Sequence, residues 1–278
     1  MNVKTVNYTD KNAPSTFTNS LHQTGFSVLT NHPINKSLID EVYEEWDMFF
    51  SRSIKKNYLY NKSTQDGYFP FGSENAKGNP IKDLKEFYHF YPWGAFPKEL
   101  SNKTSLLFDQ LVQLTSTLLG WIQDQTPPDV KILFSIPLPQ MIDSSPNNLL
   151  RIIHYPPLTG NEDPRAIRGA AHEDINLITL LLSGTEPGLQ LKDNSGNWKN
   201  IVCNPGEIAV NTGDMLQEAS SGYFPSTTHQ VINPSKKDKN KSRYSMPLFL
   251  HPNKETILSK RYSAEEYLNE RLKEIGLK

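Results

Sequence analysis

The chain has 278 residues and a formal net charge of -1. It is 36% hydrophobic and 21% charged, which suits an ordinary globular protein and gives no electrostatic case for nucleic acid or an anionic membrane surface. The single cysteine, Cys203, excludes an internal disulfide and a cysteine-rich zinc site. No apolar run reaches the roughly 18 residues of a membrane span, and the first residues lack the apolar segment of a secretory leader, so a cytoplasmic location is the default expectation.

Residues 15–23 predict a short helix entering Thr24-Gly25, and Phe26-Ser27-Val28-Leu29 a strand. Over residues 35–50, Leu38, Ile39, Val42, Tyr43, Trp46, Phe49 and Phe50 recur at spacings of three and four. That pattern predicts an amphipathic helix packed on a core. Residues 61–80 are rich in Gly, Pro, Asn and Ser and read as a loop. Residues 101–125 carry the strongest helical period, through Leu107, Leu111, Leu114, Leu118 and Ile122, and Pro127-Pro128 marks its end. The character changes near Leu149. Residues 150–155 are β-like up to Pro156-Pro157. The apolar run 175–182 reads as a strand, although its period alone also allows a helix. Asp193-Asn194-Ser195-Gly196 is a hairpin turn between Leu189-Gln190-Leu191 and residues 198–202. Residues 207–211, 228–233 and 243–250 add short strands, and Ser263 with Glu266 forms a capping box for a final helix. Short strands with frequent turns predict an all-β sandwich or jelly roll after a mixed, more helical first part, with residues 127–148 as the best boundary.

The chemistry lies in His172, Asp174 and His229. Two imidazoles and one carboxylate make a three-point ligand set that leaves coordination positions open, the pattern of non-haem Fe(II) sites that handle O₂. If His172 and Asp174 lie on a strand, their spacing of two puts both on one face, with Glu173 turned away. Arg243 and Ser245 share a face by the same rule. A guanidinium fork with a hydroxyl beside it suits the far carboxylate of a dicarboxylic acid. Taken singly, His-x-Asp is common by chance, a lone histidine is more often structural, and Arg-x-Ser is more often a surface pair. Arg168, just ahead of His172, has two readings, a residue facing the pocket mouth or, first by default, a surface salt-bridging residue. Tyr68, Phe69, Phe71 and residues 213–227 read as a lid, Lys236 to Lys241 as a solvated loop, and His32, His89, His154 and His251 as structural.

With these residues in place the chain resembles the isopenicillin N synthase-like branch of the Fe(II)/2-oxoglutarate-dependent dioxygenases. The resemblance runs through Thr24-Gly25-Phe26, Asn31-His32-Pro33-Ile34, Gly67-Tyr68, Glu74, Asp83 to Phe87, Leu189 to Trp198, Val210 to Asp214, His229-Gln230-Val231 and Arg243 to Phe249. It implies one dioxygenase unit over 1–278, mainly β with flanking helices. That unit would comprise a mixed N-terminal region (1–126), a double-stranded β-helix catalytic core (149–251) and a C-terminal helix (263–276). It further implies His172, Asp174 and His229 as iron ligands, Arg243 and Ser245 on the carboxylate of 2-oxoglutarate, and Tyr155 as a further contact to that co-substrate. Ile153 stands where the family has Asn near that tyrosine. The implied reaction is O₂-dependent hydroxylation or desaturation of a small molecule, yielding succinate and CO₂. An oxidase with the same triad that consumes no 2-oxoglutarate stays open, as does a non-catalytic metabolite-binding jelly roll. The sequence assigns no oligomeric state.

Overall fold

A computed structural model describes residues 2–75 and 80–274. In chain order the elements are β1 (Lys4–Asn7), α1 (Ala13–Thr24), β2 (Phe26–Thr30), α2 (Lys36–Ser51), β3 (Gly67–Phe69), β4 (Glu86–Phe90), α3 (Lys103–Gln125) and the short α4 (Pro128–Lys131) and α5 (Leu138–Met141). Then follow β5 (Leu149–Tyr155), β6 (Gly169–His172), β7 (Ile178–Leu182), β8 (Leu189–Lys192), β9 (Trp198–Asn200), β10 (Ile208–Thr212), α6 (Asp214–Ala219), β11 (His229–Val231), β12 (Arg243–Leu250) and α7 (Ala264–Glu274).

The strands form an eight-stranded sheet, ordered β1-β2-β10-β7-β12-β5-β4-β3, and a four-stranded sheet, ordered β6-β11-β8-β9. The large sheet is buried on both faces, and strand alternation divides its side chains. On β12, Tyr244, Met246, Leu248 and Leu250 join the core beneath the helices, while Arg243 and Ser245 fall on the opposite face. On β10, Ile208 and Val210 join that core and Ala209 turns the other way. A second cluster fills the space between the sheets: Val28, Phe69, Phe87, Ile153, Tyr155 and Ala209 from the large one meet Leu189 and Val231 from the small one. This is the jelly-roll interior.

The helices close the outer face. Asn35 caps α2 by accepting from the Ser37 amide at 2.8 Å. The helix buries Ile39, Val42, Trp46, Phe49 and Phe50, and the Trp46 indole donates to Thr104 Oγ1 at 3.0 Å on α3. Helix α1 ends at Gly25, whose φ of 68° and close approach to Thr227 Oγ1 leave no room for a Cβ. The capping box of α7 forms as read, with Ser263 and Glu266 exchanging bonds; residues 275–276 of the expected helix lie outside the described residues.

Three expectations change. Within 61–80, Gly67–Phe69 pairs with β4 as strand β3, and residues 76–79 lie outside the described residues. Tyr68 and Phe69 are buried core residues rather than a lid, and residues 213–227 contain α6. The pattern predicts no element before residue 15, yet β1 pairs in parallel with β2 at the sheet edge.

The structural role expected of His89 has a measurable consequence. Its Nδ1–H donates to the Gln65 carbonyl at 2.8 Å and its Nε2 accepts from Arg151 Nε at 2.9 Å, so the ring is neutral. Burial first, and then the Arg151 charge, pushes it from 6.5 down to about 3. Below pH 6.5 the unfolded chain takes up a proton that the folded chain refuses. Its contribution is therefore complete above pH 6.5 and declines by about 1.4 kcal/mol per unit as pH falls. Urea midpoints should drop between pH 7 and pH 5, with a shallower slope in His89→Gln. Identical slopes in the two proteins would contradict this.

Candidate active site

His172 ends β6 and His229 begins β11. The two strands pair so that these residues face each other directly. Their ring centroids are 4.4 Å apart. Asp174 lies two residues beyond the end of β6, in the turn toward β7, and not on the strand as expected. The turn still brings Asp174 Oδ1 to 3.7 Å from Nε2 of each histidine. One ligand atom from each of the three residues lies within 4.8 Å of the others.

The atoms turned away from this cluster are all engaged. His172 Nδ1 meets the Ala170 carbonyl at 2.7 Å and His229 Nδ1 the Thr227 carbonyl at 3.1 Å. In each ring Nδ1–H donates to its carbonyl, which leaves an Nε2 lone pair facing inward. Asp174 Oδ2 accepts from Thr179 Oγ1 at 2.6 Å and Asn211 Nδ2 at 2.8 Å, which keeps Oδ1 for the cluster. Thr179 and Asn211 sit opposite each other on β7 and β10, on the inner face of the large sheet. The donor set fits a divalent ion. Donors about 2.1 Å from one metal and at right angles to each other lie about 3.0 Å apart, which small side-chain rotations reach.

Charge at the cluster follows from this packing. Burial would raise the Asp174 carboxyl, but His229, His172 and the two donors outweigh it and hold it below its ordinary value. His172 is pushed down to about 4, by desolvation first and then by His229. Its side chain is 40% exposed. A neutral ring beside an ionised carboxylate is the protonation state that metal binding needs.

Deeper inside, Arg243 and Ser245 are 2% and 3% exposed. Arg243 pairs in register with Tyr155 and Ser245 with Ile153. The Arg243 Nε–H donates to the Glu186 carbonyl at 2.9 Å, and Nη1 is buried without a partner. Gly184 makes the room: a Cβ there would stand 2.5 Å from Arg243 Nη2. The Arg243 guanidinium lies 5.1 Å from the Tyr155 ring centre, and Ser245 lies two residues along β12 from Arg243, opposite Ile153.

Arg168 departs from expectation. It is 1% exposed, with only Nη2 engaged, on the Lys241 carbonyl at 2.9 Å, and it forms no surface salt bridge among the described residues. The sequence reading also missed Thr179, Asn211 and the buried charges beside β6. Lys85 pairs with Asp83 at 2.9 Å and Glu74 at 2.7 Å, and Asp83 Oδ1 accepts from the Ala170 amide at 3.0 Å. That bond anchors β6 two residues before His172. The Glu74 and Asp83-x-Lys85 motif was visible, but its contact with β6 was not. A surface groove of about 730 Å³ beside α3 and α5 includes none of these site residues.

Comparison with known proteins now gives the class. The family model of the 2OG-Fe(II) oxygenase superfamily matches residues 146–252, and that of the non-haem dioxygenase in morphine synthesis N-terminal region matches residues 9–108. The crystal structure of a candidate oxygenase from Shewanella oneidensis has a TM-score of 0.91 at 50% identity, covering 99% of each chain. A candidate 2OG-Fe(II) oxygenase family protein from Caulobacter crescentus has a TM-score of 0.82 at 30% identity, covering 98% of this chain and 99% of that one. A 2-oxoglutarate-dependent dioxygenase from Didymella fabae is 24% identical over 262 residues, 83% of this chain and 76% of its own. The chain belongs to the 2OG-Fe(II) oxygenase superfamily, whose reactions use Fe(II), 2-oxoglutarate and O₂. It is an oxidoreductase of that dioxygenase class.

Proposed function

We propose that His172, Asp174 and His229 hold Fe(II), and that Arg243, Ser245 and Tyr155 bind the far carboxylate of 2-oxoglutarate. The single unit 1–278 then oxidises a small molecule by hydroxylation or desaturation, with succinate and CO₂ as co-products. One observation carries the reading: three inward-facing donor atoms lie within 4.8 Å of one another, and the outward atom of every ring and carboxylate is already bonded.

Iron would supply the O₂ chemistry, and two neutral imidazoles with one carboxylate leave open positions for a bidentate keto acid and O₂. The residues themselves do the rest. The Ala170 and Thr227 carbonyls keep both rings in one tautomer. Thr179 and Asn211 hold Asp174 ionised and oriented. Arg243, buried and free at Nη1, presents a preorganised donor to the far end of the keto acid. The apolar cluster of Val28, Phe69, Phe87 and Val231 excludes water from the interior.

Succinate release over a panel of small molecules tests the reading. Succinate should form only with Fe(II), O₂ and 2-oxoglutarate together, and in step with loss of one panel member. Substrate oxidation that proceeds without 2-oxoglutarate would overturn it.

A further inference from the structure

We propose that Arg168 is a second anion-binding residue of the co-substrate pocket, which meets the far carboxylate of 2-oxoglutarate together with Arg243 and so sets preference for a dicarboxylic keto acid. This rests on the co-substrate reading above.

Arg168 lies four residues before His172. It stands in the bend immediately before β6, the strand that ends at His172. Its guanidinium is 5.9 Å from the Tyr155 ring centre, and that of Arg243 is 5.1 Å from the same ring. The two cations thus converge on one aromatic residue between the sheets. Their placement is unusual, because neither is paired with a carboxylate among the described residues. Nε and Nη1 of Arg168 and Nη1 of Arg243 are buried without partners. The nearby Glu186 offers its carbonyl to Arg243, while its carboxylate lies 3.6 Å from Lys241 Nζ.

A buried guanidinium with no paired carboxylate is costly even with the Glu186 charge nearby, and two together more so. Burial, and then the Arg243 charge, already pushes Arg168 down to about 10. A core that needed only packing would carry an apolar residue here. A fork with free N–H groups suits an arriving oxyanion instead. The chemistry has room for both arginines, because one carboxylate offers about four acceptor sites. Arg243 Nη1, the Ser245 hydroxyl and the Tyr155 hydroxyl do not exhaust them. The Lys241 carbonyl fixes Arg168 through Nη2 and leaves the other N–H groups to the ligand.

The test is calorimetric binding to Mn(II)-loaded protein, with 2-oxoglutarate against 2-oxobutyrate, which keeps the keto-acid end and lacks the far carboxylate. Arg168→Met should weaken 2-oxoglutarate about ten- to a hundred-fold, leave 2-oxobutyrate unchanged, and melt in the ligand-free state no lower than wild type. Arg168→Lys should keep the charge, lose the fork and fall between the two. Wild-type affinity for 2-oxoglutarate in Arg168→Met would overturn the proposal. So would equal losses for both keto acids, or a ligand-free protein that melts well below wild type, since either marks a structural role. If the wild-type protein itself fails to bind 2-oxoglutarate, the co-substrate reading falls first and this proposal with it.

Discussion

His172→Ala is expected to abolish 2-oxoglutarate turnover and Fe(II) binding while the chain still folds. Loss of a residue that merely orients a metal ligand costs about 10–100-fold in affinity, and loss of a ligand itself should exceed that. The fold should survive because His172 ends its strand, keeps 40% of its side chain exposed and has one hydrogen bond, to Ala170. Asp174 is a less informative target. Its removal strands the buried Thr179 and Asn211 donors and mixes a folding cost with the metal effect. Metal titration with a melting curve on the same sample separates the two. Retained Fe(II) affinity in His172→Ala would take this residue out of the ligand set.

Arg243→Lys should raise the dissociation constant for 2-oxoglutarate by more than ten-fold, from the about 2–5 kcal/mol that breaking a buried, hydrogen-bonded charge pair costs. Lysine keeps the charge but cannot hold the Glu186 carbonyl and present a second donor in one plane. Gly184→Ala should act in the same direction without touching Arg243, because the added Cβ would meet Nη2 at 2.5 Å and displace the fork. Affinity for Fe(II) should be unchanged in both variants. Calorimetric titration of each with the co-substrate decides, and unaltered affinity in Arg243→Lys would remove that residue from the pocket.

Much of this site was legible because strand alternation is a rigid rule. Arg243 and Ser245 share a face of β12, and the apolar residues between and beyond them face the helices. His229 could be placed on a strand, yet its partner could not be named, because the pairing with His172 crosses a long stretch of chain. Asp174 was read as part of a strand. The turn beyond β6 brings it to the same point, tied by the bond from the Asp214 amide to its carbonyl at 2.8 Å. Strand β3 was hidden because Gly67 and Pro70 carry turn composition, and only pairing with β4 makes the segment extended. Arg168 was misread for a related reason. An arginine in sequence is a surface residue by default, and nothing local shows that it is buried beside Tyr155 and the Lys241 carbonyl. Thr179 and Asn211 belong to the same class: unremarkable residues given a role by their register across β7 and β10.

The most direct test of the account is an anaerobic titration of the protein with Fe(II) and 2-oxoglutarate, followed by visible spectroscopy. A keto acid chelated to Fe(II) gives a weak charge-transfer band. The account predicts that this band grows to one equivalent of each in the wild-type protein, requires more 2-oxoglutarate in Arg243→Lys and is absent in His172→Ala. A folded wild-type protein that gives no band, or a His172→Ala protein that gives the full one, would contradict it.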